Sequence, residues 1–82
     1  MLKINEETKV FHLLEELPES EAVVKKYFSY FYENRIEDIA LQRLTIKGAF
    51  TVLEIPEEKR KEFFEELKKL VEEKNIYNVN IS

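Results

Sequence analysis

The sequence predicts an all-α domain, a compact array of about five short helices with short extended strands at its two ends. Three observations predict it. Apolar residues recur at three- and four-residue spacing from Thr8 to Lys74, and helix-starting Thr, Ser, Asn and Pro residues precede those stretches. Strict alternation is confined to the closing NIYNVNIS. At 82 residues the chain makes one domain, 1–82, with a helical core over about 8–74 and an extended tail over 75–82.

After an extended start, MLKIN, the residues Val10, Phe11, Leu13, Leu14 and Leu17 share one helical face, Thr8 is placed to cap that helix, and Pro18 ends it. A second helix begins near Glu19 or Ser20 and runs through YFSYFY, where every position but Ser29 carries a ring. At about 100° per residue, Val23, Val24, Tyr27, Phe28, Tyr30 and Phe31 fall within an arc of roughly 160°, with Lys25, Lys26, Ser29 and Glu33 outside it. Most of the rings are therefore core. Tyr30 at one margin and Tyr32 beyond the other are the surface candidates.

Asn34 is placed to cap a third helix holding Ile36, Ile39, Ala40 and Leu41. The segment RLTIKGAFTVLEIP has enough β-branched residues for a strand. Thr45 as N-cap and the shared face of Ile46, Ala49, Phe50, Val52 and Leu53 favour a helix. Pro56, Glu57 and Glu58 then open a last helix to Lys74, with Phe63, Phe64, Leu67, Leu70 and Val71 as its stripe and Glu57–Lys61 and Glu65–Lys69 as outer i,i+4 pairs. In the tail, Tyr77, Val79 and Ile81 alternate with asparagines. This strand has two candidate partners, Leu2 and Ile4 of the same chain or another copy of itself.

The 17 acidic residues outnumber the 13 basic ones, for a net charge of −4. Glu6, Glu7, Glu15, Glu16, Glu19 and Glu21 face only Lys3 and Lys9 near the start, a field that repels phosphate backbones and argues against a nucleic-acid partner. No apolar run approaches the ~20 residues that a membrane helix needs. There is no cysteine, which removes disulfides and thiolate metal sites and fits a reducing cytoplasm. The chain reads as soluble, unexported and cytoplasmic, and its Glu- and Lys-rich composition is of the kind associated with hot environments.

Little chemistry is on offer. His12 is the single histidine and has no second ligand at metal spacing. Ser20 and Ser29 lack a base nearby, and Gly48 alone makes no phosphate loop. No catalytic, metal or cofactor residue is expected. The constellation that remains is Tyr30, Tyr32, Arg35 and Arg43, where two guanidinium groups beside rings offer contacts for a protein partner or an anionic small ligand. The plainer alternative has each Arg covering apolar surface and pairing with Glu37 or Asp38.

TKVFHLLEELPE, NRIEDIALQRLTIKGAFTVLEIPEE and FFEELKKLVEE together resemble a small domain of unknown function associated with hybrid-cluster proteins, also found fused to hemerythrin-like and sensor proteins. Thr8, Val10, Leu13, Leu14 and Pro18 match its opening motif, and Arg43, Leu44, Thr45, Ile46, Ala49 and Ile55 match its second. The resemblance covers about residues 4–74 and implies an array of about five helices, including one over Thr45–Leu53. One branch of that family carries a Cys-x-x-Cys pair, which this chain lacks, so no redox role carries over. The position before Ile55, often glycine in the family, is Glu54 here. The expectation from residues and resemblance together is a non-enzymatic module that binds a protein partner or itself, through Tyr30, Tyr32 and the Tyr77–Ile81 tail. A sensor for an anionic metabolite, using Arg35 and Arg43, is the alternative.

Overall fold

The computed structural model describes residues 2–73 and 79–81, with the backbone alone for Leu2 and for 79–81. Within them the chain is all-α: six helices, one 3-10 turn, and a pair of three-residue strands. The first strand, β1 (Leu2–Ile4), runs into a tight turn in which Asn5 Oδ1 accepts from the Glu7 amide at 2.8 Å and Thr8 Oγ1 accepts from the Asn5 amide at 3.1 Å. Thr8 thus closes the turn behind it instead of capping the helix ahead. The helix α1 (Val10–Glu16) starts from Lys9 with no side-chain cap. Its first amide, Val10 N, donates instead to Leu44 O at 3.1 Å.

Pro18 ends α1 as the sequence predicts and opens the 3-10 turn Pro18–Ser20, which leads into α2 (Glu21–Tyr27). Ser20 is fully buried in this elbow, where its hydroxyl donates to Leu17 O at 2.6 Å. The aromatic helix is not continuous. It breaks at Phe28, whose φ of −114° and ψ of 33° separate α2 from α3 (Ser29–Glu33). Phe28 and Phe31 are buried, Tyr27 and Tyr32 are half-buried against the core, and Tyr30 is exposed.

Asn34 also acts backwards. Its side-chain amide donates to Tyr30 O at 2.8 Å, closing the end of α3, while α4 (Glu37–Arg43) begins after Ile36 with no side-chain cap. The ambiguous segment is a helix, α5 (Ile46–Val52). Its first three amides, free in any helix, all find acceptors. Ile46 N donates to Thr8 O at 2.8 Å, Lys47 N to Glu6 O at 2.9 Å and Gly48 N to Thr45 Oγ1 at 2.9 Å. A Cβ at Gly48 would lie 3.3 Å from that hydroxyl oxygen, so the single glycine lets the cap close fully. Val52, expected on the inner face, is exposed.

The last helix, α6 (Glu57–Glu73), follows Pro56 and buries Phe63 and Leu67, with Phe64, Leu70 and Val71 packed at the margin. The predicted Glu57–Lys61 and Glu65–Lys69 pairs do not form. The α6 side chains pair instead as Lys59 with Glu62 at 3.2 Å, and Glu66 with Lys26 of α2 at 3.1 Å. Phe28, Phe50 and Phe63 meet at the centre with ring centroids 5.3 to 5.7 Å apart. Each such ring stabilises the fold by about 1.5–3 kcal/mol through burial, so this triangle holds the α2–α3 junction, α5 and α6 together.

Two interhelical turns share one backbone device. After α3, Arg35 takes φ 56°, its amide donates to Tyr32 O and the Ile36 amide to Phe31 O. After α5, Glu54 takes φ 51°, its amide donates to Thr51 O and the Ile55 amide to Phe50 O. Both are left-handed helix ends of the kind that prefers glycine, and here both lack it.

The chain closes with β2 (Val79–Ile81), which pairs in parallel with β1 in the register Leu2↔Val79, Lys3↔Asn80 and Ile4↔Ile81. This is the intrachain one of the two partnerships the sequence leaves open. One edge of the tail strand is therefore taken by the chain's own start. Tyr77 lies outside the described residues, as do the side chains of Val79 and Ile81.

Candidate functional site

The α3–α4 corner concentrates exposed apolar surface. Tyr30, Ile36 and Ile39 are 53%, 40% and 64% exposed, and they are three of the four large apolar side chains exposed among the described residues. The helical period explains Ile39, which lies about 160° around α4 from the buried Leu41. Leu41, with Ala40 and Leu44, is the side of α4 that faces the core. Ile36, Ile39 and Arg43 line the opposite side, within roughly 60° of one another on the same helical period.

Arg35 and Arg43 are both exposed, one just before α4 and one at its end. The helix between them, Glu37–Arg43, rises about 9 Å at 1.5 Å per residue, and neither lines the cleft between α1 and α4. The structure therefore sets them as brackets around the apolar stripe and does not converge them on one small ligand. Neither is paired with Glu37 or Asp38. The ion pairs among the described residues are Glu21–Lys25, Lys26–Glu66 and Lys59–Glu62. Tyr32, the fourth sequence candidate, turns inward, with the Lys25 ammonium 5.7 Å from its ring centre. Burial first, then the negative charge of Glu21 and Glu37, pushes its hydroxyl above the ordinary tyrosine pKa.

The other side of α4 forms a cleft with α1 that the sequence reading misses. Phe11, Leu14 and Leu41 line it with Glu15, Glu37, Asp38 and Gln42, around a volume of about 260 Å³. No cationic side chain lines it. Oε2 of Glu37 is shut off from solvent and has no hydrogen-bond partner, a costly condition for a carboxylate oxygen. The sequence signal was present in Glu15 and the adjacent Glu37 and Asp38. Only the α1–α4 packing brings them to one rim.

A third cluster lies between α2 and α6. The Tyr27 hydroxyl donates to Glu66 Oε2, and Lys26 Nζ donates to both Glu66 oxygens at 3.1 and 3.2 Å while standing 5.4 Å from the Tyr27 ring centre. Tyr27 also meets Phe63 edge-on at 5.4 Å. Burial, then the bond to Glu66, pushes the Tyr27 hydroxyl well above its ordinary value. The Glu66 carboxyl is held below the usual range chiefly by Tyr27 and then by Lys26, against the opposing effect of burial. Each member already has its partner, so the cluster staples α6 to α2.

His12 is exposed and stacks on Phe11 at 4.7 Å. Among the described residues no three His, Asp or Glu side chains gather to hold a metal ion. No helix among them is long and apolar enough to cross a membrane.

No family model matches the chain, and no solved structure matches it. The chain is similar to an uncharacterized protein of Aquifex aeolicus, 30% identical over 83 residues. The match takes in all of this chain and 63% of that relative, so the chain spans less than two thirds of the relative's length.

Proposed function

We propose that the chain is a non-enzymatic helical module that binds a protein partner or another copy of itself, and that the outer side of α4 is its contact surface. The observation that carries this reading is the exposed set Tyr30, Ile36 and Ile39 bracketed by the guanidinium groups of Arg35 and Arg43, which have no ion-pair partner among the described residues. Large apolar side chains gathered at one corner are costly to leave in water, and Tyr and Arg are the residue types enriched where proteins meet. On this reading the module works in the cytoplasm and needs no cofactor. The same reading groups it with the cysteine-free hybrid-cluster-associated domains, on the residues that match their two motifs and with Glu54 as a departure from them.

A photo-crosslinking residue in place of Ile39, compared with one in place of Lys25, tests the reading in cells expressing the chain. Specific adducts from position 39 and none from position 25 are expected. Adducts absent or equal at both positions would overturn it.

A further inference from the structure

The two sides of α4 are chemical complements. Its outer side offers Ile36 and Ile39 with Arg35 and Arg43 at the margins, and the α1–α4 cleft offers an apolar floor with Glu15, Glu37 and Asp38 at the rim. Resting on the interaction reading above, we infer that the outer face of α4 in one copy docks into the α1–α4 cleft of a second copy, joining copies head to tail.

Three observations favour a second copy as the occupant. The cleft suits an apolar side chain and a cation together, since its floor is Phe11, Leu14 and Leu41 and the carboxylates of Glu15, Glu37 and Asp38 line it with no cationic side chain among them. The outer face presents that pair, because Ile39 and Arg43 stand one helical turn apart and Arg43 has no acidic partner among the described residues. A chain cannot use its own face for its own cleft, because Ile39 and Leu41 point about 160° apart on one helix. The contact is therefore heterologous, and repetition gives a ring or an open chain. Fork-shaped guanidinium groups meeting carboxylates supply orientation, while Ile39 on the cleft floor supplies the apolar contact.

Sedimentation velocity on the purified chain tests this, with two variants. Glu15→Lys with Asp38→Lys spoils the cleft and keeps the face. Ile39→Asp with Arg43→Glu spoils the face and keeps the cleft. The unaltered chain should grow beyond a dimer as concentration rises. Each variant alone should associate at least about tenfold more weakly, and an equimolar mixture should recover a 1:1 pair that grows no further. A mixture that recovers nothing would overturn the head-to-tail contact, as would an unaltered chain that stays monomeric. If a reversed-charge variant fails to fold by circular dichroism, Glu15→Gln with Asp38→Asn and Arg43→Gln replace it, with the same complementation expected. A monomer that still gives specific adducts to a different protein from position 39 would sink this inference and leave the interaction reading intact. A monomer without adducts would sink both.

Discussion

The chain turns twice by the same backbone device and packs only one of the turns on its core. At Glu54–Ile55, Ile55 packs against the core, its carbonyl accepts from Arg60 Nε at 2.8 Å, and Pro56 leads straight into the longest helix. At Arg35–Ile36 the hydrogen bonds are the same, yet Ile36 is 40% exposed and the helix that follows turns Ile39 outward. The difference lies in what comes next. A helix of 17 residues follows the first turn and buries Phe63 and Leu67, whereas α4 has only seven and packs its inner side on α1. Identical local geometry thus gives a structural corner in one place and an unsatisfied surface in the other.

Substitutions can break or sharpen that contrast. The largest effect is expected at the buried rings that anchor the two turns. Phe50→Ala and Phe31→Ala should each cost about 3–5 kcal/mol in urea unfolding, because both rings are buried and leave cavities. Equal losses there would show that the turns differ only beyond their anchors.

The isoleucines come next. Ile55→Ala should cost about 2 kcal/mol and Ile36→Ala under about 1 kcal/mol, since only the former packs closely on the core. A larger loss at Ile36, measured at a concentration where the chain is monomeric, would contradict the open corner.

Glycine at the left-handed positions should stabilise. Glu54→Gly and Arg35→Gly are each expected to add about 0.5–1 kcal/mol by relieving backbone strain. Arg35→Gly alone should also weaken association, which separates the two corners by function in a single pair of variants.

The smallest effect is expected at Tyr27 and Glu66, between α2 and α6. Glu66 has a depressed pKa, so its contribution is present above the ordinary value of 4.5 and fades as pH falls through the folded one. Tyr27 has a raised pKa, so its contribution is present below the ordinary value of 10.0 and fades as pH climbs above that toward the folded value. Tyr27→Phe should cost about 0.5 kcal/mol at neutral pH, a modest figure because Glu66 is a third exposed, and should flatten both limbs of the pH–stability curve. Unchanged limbs would show that the staple contributes nothing.

Much of the fold was legible from local signals. Pro18 and Pro56 mark real boundaries, Thr45 caps α5, and the apolar periods of α1 and α6 select buried Leu13, Phe63 and Leu67. The misreadings at Thr8 and Asn34 have one cause. Each residue has helix on one side and turn on the other, and its side chain bonded the backbone behind it instead of the backbone ahead. Phe28 hid its helix break because an aromatic stripe looks continuous across one kinked residue. Of the candidate site, Tyr30, Arg35 and Arg43 are on the surface as expected, while Tyr32 is turned inward under Lys25.

By itself the sequence determined where helices lie and which side of each is apolar, because period and caps act within a few residues. Tertiary structure decided which apolar residues stay in water. Ile36 and Ile39 carry the same side chain as the buried Ile46, and the period of α4 sets them opposite Leu41 without fixing which of the two sides is covered. Their fate depended on whether another helix was long enough to cover α4, and α1, packed against the opposite side, leaves the outer stripe bare and draws Glu15, Glu37 and Asp38 around a cleft that matches it.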